Sequence, residues 1–258
     1  MHEKIGGSDG QETHFPKQNS HEGLTLTRRR DYTLENMGRV FTILRGFGVE
    51  FTPQEEYEYD QLFCGIDFAD QLTDNKKVLP EAATHVLSFL TGKQDFLPLE
   101  IPQNVVENFS FLRGIVAERR VAPQLDITVR RLLSLRSQLS TTNSVPDYIQ
   151  LTKREGVETA EMAFLFLREE LPPNIKKFLT HTNILGYLAD NLLDLEFDFA
   201  EGKISIKPSK GLKLALKIEI AKQLAVLSWN YPQKQELIGL TKKYIAMLTT
   251  PSLKDKTD

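Results

Sequence analysis

Beyond about residue 30 the apolar positions recur every three or four residues, the period of a helix buried along one side. Leu34, Met37, Phe41 and Leu44 share one face, and Gly46 and Gly48 stop the pattern. Thr52-Pro53-Gln54-Glu55 then reads as an N-cap with proline at the first helical position, opening a helix that runs to about Asp74. Further helices are predicted over 81–91, 103–119, 123–140, 146–152, 155–170, 174–201, 209–229 and 232–248. Breaks fall at Gly92, Pro98, Pro102, Pro123, Pro146, Pro172-Pro173, Pro208 and Pro232. Alternation of period two is confined to KISIKP, residues 203–208, which is too short to found a sheet. The pattern predicts an all-α protein, one domain of eight to ten helices, with no repeat at solenoid period.

Length and composition refine this picture. A chain of 258 residues with 40% hydrophobic and 26% charged residues suits one large soluble domain. Residues 1–30 are polar and rich in Gly, His and Gln, which predicts a disordered tail ending in the solvated Arg28-Arg29-Arg30. The helical domain is expected over 31–250 and a frayed end over 251–258. A net charge of -3 gives no global case for nucleic acid binding. A single cysteine, Cys64, permits no internal disulfide and no cysteine cluster, which points to a reducing, cytoplasmic setting and an inert core thiol. No apolar run approaches the roughly 20 residues that span a bilayer. Peripheral membrane contact stays open.

Two helices carry charge where burial is expected. In QLFCGIDFADQLTDNKK, Asp67, Asp70 and Asp74 are spaced i, i+3, i+7 on one line, with Asp60 two turns earlier. Asp190, Asp194 and Asp198 form a second line in ILGYLADNLLDLEFDFAEGKISIKP. With Asp60, seven of the 14 aspartates fall in these two helices, both otherwise largely apolar, so the rows exceed what chance supplies. Like charges one turn apart repel by a few tenths of a kcal/mol per pair, and burial adds to that. A divalent cation would offset both. Oxygen ligands without His or Cys suit Mg²⁺, which keeps several waters and bridges to phosphates. The helical spacing excludes an EF-hand loop, and the lack of a suitable His disfavours a di-iron bundle. A solvated acidic stripe on each helix is the bland alternative.

DQLTDNKK, residues 70–77, is similar to the first aspartate motif of the squalene/phytoene synthase family, and DNLLDLEFDFAEGKI, residues 190–204, is similar to its second, with Gly202 and Lys203 following. DFADQLTD and the second row with Glu196 also resemble the motifs of bacterial large-terpene cyclases. The chain therefore resembles the class I isoprenoid synthase superfamily over roughly residues 32–248. It departs from the squalene/phytoene pattern at Asp67, where an arginine is usual, and at REGVETAEM, residues 154–162, where a small-residue stretch is usual.

The resemblance implies a helical bundle of the isoprenoid synthase type with a central cavity. It implies Mg²⁺-dependent ionisation of a prenyl diphosphate to an allylic carbocation, giving a terpene and diphosphate. Head-to-head condensation of two prenyl diphosphates is the alternative enzyme, and a non-catalytic helical interaction protein the alternative of another class. Asp67, Asp70 and Asp74 would hold one metal set and Asp190, Asp194 and Asp198 the other, with Asp70, Asp74, Asp194 and Asp198 essential to catalysis. Lys203, then Lys207 and Arg154, would contact the diphosphate. Tyr187 and Phe63 are the favoured cavity residues, ahead of Tyr148, Phe164 and Phe166. The pairs Arg119-Arg120 and Arg130-Arg131 are expected in solvent, His85 and His181 at the surface or at caps, and Trp229 and Tyr231 as anchors of the penultimate helix.

Overall fold

The computed structural model describes residues 41, 42, 44–74, 81–99, 101–167 and 171–231, with the side chains of 70–74 excepted. The expected tail, the helix over 232–248 and the frayed C-terminus lie outside these residues. A helical segment reaches Gly46, and Gly48 turns the chain at φ +78°. Seven helices follow: α1 (Pro53–Asp74), α2 (Ala82–Leu90), α3 (Gln103–Arg119), α4 (Ala122–Thr141), α5 (Val145–Leu165), α6 (Pro173–Ala200) and α7 (Lys210–Asn230). The fold class is all-α, and no strand occurs among the described residues.

The helix starts follow their caps. Thr52 and Glu55 form a reciprocal box, in which the Glu55 N–H donates to Thr52 Oγ1 at 3.2 Å and the Thr52 N–H donates to Glu55 Oε2 at 2.8 Å. Ser144 and Ser209 cap α5 and α7 by accepting from the Asp147 and Leu212 amides. Residues 145–165 form one helix, where a break near residue 153 was expected. Pro146 sits in the first turn of that helix and no proline follows it, and α6 leaves no room for a side chain at Gly156. A Cβ there would sit 2.7 Å from Ile184 Cα.

α5 is the central element. It packs between α4 and α6, with α7 beyond α6, while α1, α2 and α3 pack together on the other side. One apolar cluster joins α5, α6 and α7 through Tyr148, Leu185, Leu188, Leu212 and Leu216. A second joins α1 to α4 with the C-terminal part of α5 through Phe68, Phe109, Leu112, Leu125, Met162 and Phe166. Each such side chain contributes about 1.5–3 kcal/mol by leaving water. Arg119, expected in solvent, is instead turned into the protein, its side chain only 10% exposed. It pairs with Glu58 on α1 and donates to the Phe166 carbonyl after α5, which fixes the α1–α3–α5 junction.

KISIKP is an extended strap whose alternation has a simple cause. Ile204 and Ile206 insert into the first cluster, and Ser205 points outward to donate to the Ser140 carbonyl at 2.6 Å. Trp229 is a correction. It is 86% exposed and anchors nothing among the described residues. Tyr231 does anchor: its ring packs edge-on against Phe47 and Phe178, and its hydroxyl donates to the Asn174 carbonyl at 2.6 Å.

Candidate functional site

The clusters do not fill the space between α1 and α5. A cavity of about 130 Å³ lies there. Leu62, Gly65, Ile66 and Ala69 line it from α1, Val86, Leu87 and Leu90 from α2, and Phe109 and Leu112 from α3. Leu125, Val129, Leu132, Leu133 and Arg136 line it from α4, Glu155, Thr159, Met162 and Phe166 from the α5 side, and Tyr187 from α6. Both helices that carry aspartate rows therefore contribute to one apolar cavity.

The polar lining is contiguous and belongs to α5 and its neighbours. Arg136 Nε donates to Glu155 Oε1 at 2.9 Å, and Glu155 is only 4% exposed. One turn on, the Thr159 and Tyr187 hydroxyls are 2.8 Å apart. About two turns before Glu155, behind the cavity lining, buried Tyr148 donates to Asn191 Oδ1. Burial raises the Tyr148 phenol pKa well above its usual value, and the charges of Asp198 and Glu155 raise it further. That hydroxyl stays protonated and acts as a donor.

The second aspartate row extends this polar wall. Tyr187, Asp190, Asn191, Asp194 and Asp198 recur at three and four residues, so they share one face of α6. Asp190 is exposed, while Asp194 and Asp198 are half-buried. The end of α6 places Lys203 on the same row. Gly202 adopts φ +70°, where a side chain is strained, and the Lys203 N–H donates to the Asp198 carbonyl at 2.8 Å. This turn brings Lys203 Nζ to 3.9 Å from Asp198 Oδ1 and 5.5 Å from the centre of the Phe197 ring. Lys213 of α7 pairs with Glu196 at 2.9 Å.

The first row is placed differently. The residues of α1 that face the cavity are 62, 65, 66 and 69. Asp67 lies roughly 100° round the helix from Ile66, on the half-buried line that also holds Asp60 and Phe63. Burial raises the Asp60 pKa, and Glu56 beside it adds to the shift. The side chains of Asp70 and Asp74 lie outside the described residues, although both positions belong to α1. Among the described residues no group of three His, Cys, Asp or Glu side chains could hold a metal ion.

The remaining expected site residues separate. Phe63 stacks on Tyr59 at 6.3 Å, in a cluster with Phe41 and Phe51, and is not in the cavity wall. Phe166 lines the cavity, whereas Phe164 lies under Lys176 and Tyr148 is core. Arg154 and Lys207 are exposed. The arginine at the cavity is Arg136, and it was missed together with Glu155 and Thr159. Their signal was present: Tyr148, Thr152, Glu155 and Thr159 form a polar line through a buried helix, hidden by the expected break near residue 153. His181 bonds Gln223 at 2.8 Å, and Cys64 is a buried thiol.

No family model, curated protein or solved structure matches this chain.

Proposed function

We propose that the protein is a Mg²⁺-dependent class I enzyme that ionises one short prenyl diphosphate. The observation carrying this reading is that α1 and α6, the two aspartate-bearing helices, line one apolar cavity. The acidic face of α6 continues from the cavity wall at Tyr187. The donor chemistry fits the ion. Half-exposed carboxylates on one helix face suit a cation that keeps much of its water and takes only one or two protein carboxylates. Asp190, Asp194 and Asp198 would hold one set of ions from α6, and Asp70 and Asp74 another from α1, with Asp67 further round. When bound, the ion would supply Lewis-acid stabilisation of the departing diphosphate.

The chain's own residues have definable tasks. Lys203, held beside Asp198 by the Gly202 turn, would contact the diphosphate, with Lys207 and Arg154 further out. The aliphatic wall keeps water from the carbocation that forms when the allylic C–O bond breaks. Phe109 and Phe166 line the cavity, and their rings would offer negative charge density to that cation. The Arg136–Glu155 and Thr159–Tyr187 pairs satisfy one another, so the wall presents no unpaired charge at those four groups.

Cavity size supports one substrate over two. About 130 Å³ is close to the roughly 150 Å³ cavity that admits a benzene-sized guest. A cavity of that size admits only part of one prenyl chain, so it disfavours the two stacked chains that head-to-head condensation requires. The test is incubation with geranyl, farnesyl and geranylgeranyl diphosphates, with and without Mg²⁺, following hydrocarbon products and diphosphate release. Mg²⁺-dependent turnover fastest with the shortest substrate is expected. Failure to turn over any of the three would leave the non-catalytic helical scaffold in its place.

A further inference from the structure

α7 buries one face through Leu212, Leu216, Ile220, Leu224 and Leu227. Its opposite face is also apolar. Leu214, Ile218, Ala221, Ala225 and Trp229 fall within a narrow arc of the helical wheel, and all five are exposed, Leu214 by 58% and Trp229 by 86%. This stripe runs for about 22 Å at 1.5 Å per residue. Lysines flank it: Lys210 and Lys217 on one edge, Lys222 on the other, with Lys213 behind the first edge. The one acid in the helix, Glu219, lies off the stripe and is held by Lys222 at 2.6 Å and Lys153 at 3.1 Å. Those two bonds lower its pKa. α7 therefore carries four lysines against one glutamate in a chain of net charge -3.

We infer that α7 is a membrane-docking face that lies flat on anionic phospholipid. Charge complementarity selects this occupant. An apolar stripe edged by lysines with a tryptophan near its end matches the interface between headgroups and acyl chains, where anionic lipid attracts the lysines. A second copy would bring the same lysines against their like. No helix of the described residues is long and apolar enough to cross a membrane, so docking parallel to the surface is the geometry this helix allows. The inference is independent of the proposed enzyme activity.

Trp229 is the only tryptophan, so it reports on the stripe directly. The full chain is mixed with vesicles of phosphatidylcholine alone or with about one third phosphatidylserine, and emission, quenching by brominated lipid and co-sedimentation are followed. With phosphatidylserine the emission moves to the blue, brominated lipid quenches it, and the protein sediments. Raising salt from about 0.1 to about 0.5 M releases it. Lys210→Glu with Lys217→Glu weakens sedimentation by tenfold or more, at about 1 kcal/mol for each lysine near the surface. Leu214→Ser with Ile218→Ser, both at exposed positions, also weakens it and leaves the circular dichroism unchanged.

Absence of shift and sedimentation overturns the inference, and so does equal binding to neutral vesicles. An emission already blue and protected in dilute protein without vesicles would assign the stripe to cover by residues 232–258. A blue shift that grows with protein concentration alone would assign it to a second copy. Either outcome also overturns the membrane assignment.

Discussion

α1 and α6 carry nearly the same one-dimensional signal and use it in different ways. On α6 the aspartates share the face of Tyr187, which lines the cavity and bonds Thr159. On α1 the cavity is lined by Leu62, Gly65, Ile66 and Ala69, and Asp67 sits on the neighbouring half-buried line with Asp60. Spacing fixes which residues are collinear on a helix. What that line faces depends on the neighbour against which the helix is pressed. For α6 the neighbour is α5, approached so closely at Gly156 that only hydrogen fits. For α1 it is α3, met through Asn108, whose amide donates to the Gln61 carbonyl and side chain at 2.9 Å each.

The contrast has its largest consequence in activity. If the ionisation chemistry is correct, Asp194→Ala removes a ligand from the face continuous with the cavity. Product formation with geranyl diphosphate should fall by about 100-fold or more, the scale of losing one electrostatic element of a transition state. Asp67→Ala, on the line turned from the cavity, should cost less than about tenfold. Equal losses would show that the two rows are equivalent and would break the comparison.

Stability should separate the same helices. Gly156→Ala places a methyl 2.7 Å from Ile184 Cα and 2.9 Å from its nitrogen, so α5 and α6 must move apart. A cost of about 2–3 kcal/mol is expected in chemical denaturation. Gly65→Ala meets Leu112 Cδ1 at 2.5 Å and Asn108 Oδ1 at 2.9 Å, both at the ends of side chains. A rotamer change can relieve part of that clash, and about 1 kcal/mol is expected. The reverse order would mean that α1, not α6, is the helix fixed by backbone contact.

A smaller effect tests the polar wall. Tyr187→Phe leaves Thr159 without its 2.8 Å partner and should cost about 1 kcal/mol. The smallest effect lies away from both helices. Hydrogen bonds from Arg130 and Lys93 hold the Asp126 pKa at about 2, below its usual 3.8. A depressed carboxyl contributes stability that is fully present above 3.8 and is lost as pH falls through about 2. Asp126→Asn should therefore flatten the acid limb of the stability curve between pH 4 and 2 slightly, since both partners of this half-buried group are exposed and screened.

Helices were legible in the sequence wherever caps, prolines and the apolar period agreed. The Thr52–Pro53 cap marks a start that the structure keeps, and Ser144 and Ser209 cap the helices expected to begin at about 146 and 209. The break expected in α5 failed because polar Lys153, Arg154 and Glu155 beside Gly156 resemble a loop. Gly156 is there for close approach to α6, a distance that no local pattern encodes. Trp229 failed for a related reason. A large apolar residue in an amphipathic helix is ordinarily core, yet α7 is apolar on two faces and only packing decides which one is covered.

Arg136 shows the same division within the candidate site. Its partner Glu155 is 19 residues away and on another helix. Neither residue stands out in the chain until α4 and α5 are laid side by side. By itself the sequence determined the helical class, most of the places where helices begin and stop, and which aspartates fall on common lines. These follow from backbone geometry and from interactions within a few residues. Tertiary structure alone decided that one row runs on from the cavity wall while Asp67 of the other lies to its side, that Arg136 and Glu155 meet, and that α7 turns a greasy stripe outward. Those outcomes depend on the rotation of each helix about its axis, which is set by contacts between residues remote in the chain.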